Sequence, residues 1–148
     1  MNVAGEVQAS SDQLRVSLVA VATGFLTAVT GVFYAAVPKD GAWSAREIFI
    51  LAWLLGPAAL AFAGAFWRGA QARVLLRTIA AVAMILAGGA GASSIGLPVA
   101  VGGVIGAIAT LADVERAAEE NRHAWLFVGT AAVTTFIVFA IGLQLTGT

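Results

Sequence analysis

The chain has no cysteine, one histidine, one tyrosine and three prolines, and only 11% of its 148 residues are charged. An ordinary soluble domain is roughly 25% charged, so a conventional water-soluble enzyme domain is excluded at the outset. The lack of cysteine removes disulfide scaffolds, thiolate metal sites and thiol catalysis. With a single histidine, His123, no two-histidine haem site can form within one copy. Eight basic residues balance eight acidic ones and no basic run occurs, which removes the electrostatic footprint of a nucleic-acid binder. No glycine-rich phosphate loop stands between a strand and a helix.

What the chain has in abundance is apolar residues, at 60% of the total, among them 33 alanines, together with 17 glycines. They lie in four stretches free of charge: Val16 to Pro38, Ile48 to Trp67, Thr78 to Ala112, and Ala124 to the C-terminus. A helix needs about 20 apolar residues to cross the hydrocarbon core. The first stretch therefore predicts a span over residues 16–37, stopped by Pro38. The second predicts one over residues 48–67, and Ser44-Ala45-Arg46-Glu47 in front of it has the pattern of a capping box. The last predicts residues 124–145.

The third stretch would make one helix roughly 52 Å long at 1.5 Å per residue, more than tilt absorbs. The segment Gly91-Ala92-Ser93-Ser94-Ile95-Gly96-Leu97-Pro98 supplies a break, with glycine for a helix end and serine and proline for a helix start. Two spans, residues 74–92 and 95–112, follow from it. The expected architecture is an all-α, polytopic transmembrane bundle of five spans forming a single integral membrane domain. Four spans plus a re-entrant segment is the alternative.

Arginines set the expected orientation. Arg15, Arg68, Arg73, Arg77, Arg116 and Arg122 fall on one side, and only Lys39 and Arg46 on the other. The positive-inside rule puts the N-terminus in the cytoplasm and the C-terminus outside. Trp43, Trp67 and Trp125 fall near span ends, where aromatic belts sit. Glu6 and Asp12 against one basic residue do not suit a secretory signal, so an uncleaved first helix is expected. The arginine, alanine and glycine bias suggests a bacterial inner membrane.

No ionisable residue falls at the middle of a span. Arg77, one turn into the third, is expected to extend its stem to the interface. Proton-coupled transport then lacks its usual intramembrane carboxylate. Five features remain. Thr23, Thr27, Thr30 and Tyr34 recur at steps of four, three and four and share one helical face, a polar stripe that either lines a path or packs. Thr130 and Thr134 offer a complementary face. Gly102 and Gly106 form a G-x-x-x-G step suited to close helix packing, and Pro57 predicts a kink or a freed carbonyl in the second span. Arg116, Glu119, Glu120 and Arg122 form a charged extension of the fourth span, read as a candidate docking surface or a solvated linker. Glu119 and His123 share a face four residues apart, but two ligands fall short of a zinc site, so no metal and no cofactor is expected.

The expectation for function is a non-catalytic accessory or scaffolding subunit of a larger membrane complex. The alternative is a small homo-oligomeric channel or transporter for a neutral or apolar solute. Expected partners are membrane lipid and other membrane subunits or copies of the chain itself, with no nucleic acid.

Overall fold

A computed structural model describes residues 3–37, 41–90, 96–120 and 123–146. These residues form five helices and no strand: α1 (Val3–Ala36), α2 (Ala45–Phe66), α3 (Ala70–Ala90), α4 (Gly96–Glu120) and α5 (Ala124–Thr146). Each contains a stretch long and apolar enough to cross a membrane, and the third uncharged run supplies two such helices, α3 and α4. The break between α3 and α4, expected around residues 91–98, falls on residues 91–95, outside the described set.

Helix boundaries differ from the expected spans where polar residues carry no break. α1 begins at Val3, ahead of its apolar stretch Gln13–Ala36. α4 runs to Glu120, past the expected end of its span at residue 112. Neither extension contains a proline, and the one glycine, Gly5, lies in the first turn of α1, where it does not stop the helix. The start of α2 follows the sequence pattern: Ser44 Oγ accepts from the Glu47 amide at 3.2 Å, and the Glu47 carboxylate accepts from the Ser44 amide at 2.8 Å. Two of the amides left open at a helix start are satisfied there. α2 also continues unbroken through Pro57, whose ring is buried.

The first four helices form a ring in which α1 packs on α2 and α4, and α3 packs on the same two. α5 lies outside the ring, mainly against α3. Small residues make this compactness possible, because Ala58, Ala61, Ala80, Ala81 and Ala83 are all buried. Met84 and Val99, almost wholly enclosed, fill the centre with Leu54. The starts of α1, α3 and α5 and the ends of α2 and α4 meet at one end of the bundle, called here the N-terminal end.

Candidate functional site: a buried arginine cluster

Arg77 does not reach for the interface. Only 3% of it is exposed, and it points into the ring instead of along the helix toward the N-terminal end. Three helices supply acceptors there. Its Nε donates to the Gly64 carbonyl of α2 at 3.1 Å, its Nη2 to Ser17 Oγ of α1 at 2.9 Å, and its Nη1 to the Asp113 carboxylate of α4. Gly64 lies in the last turn of α2, where carbonyls lack an intrahelical donor, so Arg77 also caps that helix. Gly64 is small for a reason: a Cβ there would stand 3.0 Å from Arg77 Cγ.

Energetics explain why the guanidinium pairs instead of stretching outward. A buried charge is tolerated when it is paired and hydrogen-bonded, and Arg77 is paired with Asp113 and also donates to Gly64 and Ser17. Asp113 is 4% exposed and sits under a second cation, with Arg73 Nε at 3.9 Å from the same carboxylate oxygen. Beside Arg77, toward the middle of the ring, is a cavity of about 20 Å³ whose lining includes Thr23, Thr110 and Gly106. That volume is enough for one water molecule.

The threonine stripe turns inward and is self-satisfied. Thr23, Thr27 and Thr30 are buried, with Thr27 fully enclosed. Their hydroxyls donate to the carbonyls of Val19, Thr23 and Leu26, at 2.9, 2.8 and 2.9 Å. Tyr34, half-buried, meets the Trp43 ring edge-on at 6.4 Å. Thr130 and Thr134 do not face this stripe. They are exposed on α5, and Thr134 borders an open groove of about 320 Å³ with Trp53, Pro57 and Ile79. The expected complementarity fails because α5 packs on the far side of α3 from α1.

Gly102 and Gly106 meet neighbours within the chain. A Cβ at Gly102 would lie 3.7 Å from Leu26, and one at Gly106 would lie 3.8 Å from Ala81, both ordinary contacts. The tighter approaches are at Gly88 and Gly103, where a Cβ would come within 2.6 Å of Ala100 Cβ and 2.8 Å of the Ile85 amide nitrogen. The charged extension is helical as far as Glu120, and its inner face, Val114 and Ala117, packs with Val74 and Ala124. The side chains of Arg116, Glu119 and Glu120, and all of Arg122, lie outside the described residues. Among the described residues no group of three metal-ligating side chains occurs.

The Arg77–Asp113 pair went unread in the sequence, although a signal was present. These two opposite charges bound the single 35-residue uncharged run. Folding that run as a hairpin brings its two borders to the same end of the bundle. Comparison with protein-family models, with curated proteins and with solved structures gives no match to this chain. Its function is therefore argued from these residues.

Proposed function

We propose that the chain is a non-catalytic subunit of a bacterial inner-membrane complex, a scaffold that docks other membrane proteins through α5, with its N-terminus in the cytoplasm. The observation that carries this reading is the contrast between α5 and the ring. The ring uses its polar groups and its small residues to hold itself together. α5 is apolar on every side, yet only 11% of its span is buried. Its outer surface carries Trp125, Val133 and Phe136 around Gly129, beside which nothing lies within 4 Å. A small residue between large ones makes the notch that helix pairing in membranes uses, since lipid tails provide no hydrophobic drive of their own.

A channel built from several copies has less support. Its candidate lining is the threonine stripe, whose hydroxyls already bond to their own helix, and the described cavity beside it has room for one water.

The test is affinity purification of the tagged chain from native membranes in mild detergent, with co-purifying proteins identified and the assembly mass measured. The subunit reading expects a stoichiometric set of different membrane proteins that is lost on Gly129→Leu while the helical content stays unchanged. A homogeneous oligomer of this chain alone would overturn it.

A further inference from the structure

Pro57 leaves an acceptor open near the middle of α2. In an α-helix the carbonyl of residue i accepts from the amide of residue i+4, and Pro57 has no amide hydrogen to give the carbonyl of Trp53. That carbonyl lies between positions 53 and 57 of a helix running from Ala45 to Phe66, close to its midpoint. On the helix surface it is framed by residues 53, 56 and 57, which share one face. Gly56 has no side chain to cover it, and a Cβ there would meet nothing within 4 Å.

All three residues line the open groove of about 320 Å³ between α2, α3 and α5. Its far wall is α5, where Thr134 stands beside the helix midpoint. Thr134 differs from its neighbour. Thr135 donates back to the Ala131 carbonyl at 2.7 Å, whereas the Thr134 hydroxyl has no hydrogen-bond partner among the described residues. A polar group left open at membrane depth is costly, because hydrocarbon supplies no partner. The groove thus presents a backbone acceptor and a hydroxyl at mid-span, in walls that are otherwise apolar.

A concave apolar surface with a few convergent polar groups is the usual form of a small-molecule site. An apolar cavity of about 150 Å³ holds benzene, so this groove has room for a substituted ring. Trp53 offers that ring an aromatic wall and is itself braced by Phe139, edge-on at 4.8 Å. The open carbonyl decides the chemistry, since it accepts only from a donor. A lipid acyl chain has none, and an ether or a quinone brings acceptors alone.

We infer that the groove between α2, α3 and α5 binds a membrane-dissolved phenol, an apolar molecule whose ring hydroxyl donates to the Trp53 carbonyl. Thr134 supplies a donor for the phenol oxygen from the opposite wall. The inference is independent of the subunit reading, which rests on a different surface of α5 around Gly129.

The experiment uses the full chain in nanodiscs, with empty nanodiscs to subtract partitioning into lipid. The probes are radiolabelled 4-nonylphenol and its methyl ether, which differ in the hydroxyl donor. The wild type should bind the phenol saturably and about tenfold more tightly than the ether, the scale of one buried hydrogen bond. Pro57→Ala returns an amide to the Trp53 carbonyl, so it should remove the preference for the phenol while leaving the groove in place. Gly56→Leu fills the groove and should abolish saturable binding of both probes. Thr130→Val, at an exposed position outside the groove, should change neither. The comparison of the two probes on the wild type stands whether or not a variant folds. No saturable binding, equal affinity for phenol and ether, a preference that persists in Pro57→Ala, or binding undiminished by Gly56→Leu would overturn the inference.

Discussion

At the scale of single residues, one side chain of α3 touches the three other helices of the ring. Arg77 joins Ser17 of α1, Gly64 of α2 and Asp113 of α4. Removing one partner of such a pair strands the other charge in a low-dielectric interior, whereas replacing both removes the penalty together with the attraction. Arg77→Met and Asp113→Leu should therefore each destabilise the bundle by about 3–5 kcal/mol. The double variant should return to within about 1–2 kcal/mol of the wild type, the remainder being the uncapped Gly64 carbonyl and its neighbours. Unfolding of the four proteins in mixed micelles measures this directly. Additive losses in the double variant would mean that the pair does not act as a unit. Charge counting along the chain treated Arg77 as the edge of a span because hydropathy carries no information on which way a side chain points. Buried partners on three other helices supply that direction, and they become neighbours only after folding.

At the scale of elements, the spans were legible because a membrane imposes length and charge limits that a linear sequence displays openly. The capping box at Ser44 was legible for a similar reason, since both of its partners lie within four residues. Which glycines hold helices together was less legible. The G-x-x-x-G spacing drew attention to Gly102 and Gly106, yet the shortest approaches to a facing backbone belong to Gly88 and Gly103, whose partners lie on the neighbouring helix. A Cβ at Gly103 would meet the Ile85 backbone nitrogen at 2.8 Å and the Ala81 carbonyl at 2.9 Å. Backbone atoms cannot rotate away, so α3 and α4 would have to separate. Gly88→Ala and Gly103→Ala should each cost about 1–3 kcal/mol, the usual range for overpacking. Gly106→Ala has ordinary contacts awaiting it and should be neutral or stabilise by up to about 1 kcal/mol through helix propensity. Thermal unfolding of the three variants separates the cases. A large loss at Gly106 with none at Gly103 would place the α3–α4 contact elsewhere.

At the scale of the whole molecule, the ring and its outlying helix have one end rich in arginine and one where, of the sequence's arginines, only Arg46 falls. Arg15, Arg68, Arg73 and Arg77 gather at the end where α1 and α3 begin, while Arg46 stands at the start of α2 on the other side. This asymmetry carries the proposed orientation, and the inward turn of Arg77 does not weaken it, because Arg15 and Arg68 remain exposed. The absence of cysteine makes the test direct, since any introduced thiol is the sole target of a maleimide. Gly41, between α1 and α2, and Gly69, between α2 and α3, are exposed, and neither has a crowded Cβ position. With the N-terminus in the cytoplasm, Gly41→Cys should react with a membrane-impermeant maleimide on intact cells, and Gly69→Cys only after the membrane is opened. The reverse pattern would invert the molecule and put the arginine-rich end on the outer face. Labelling of both on intact cells would mean that α2 does not cross, leaving its buried contacts with α1 and α3 without a membrane to explain its apolar exterior.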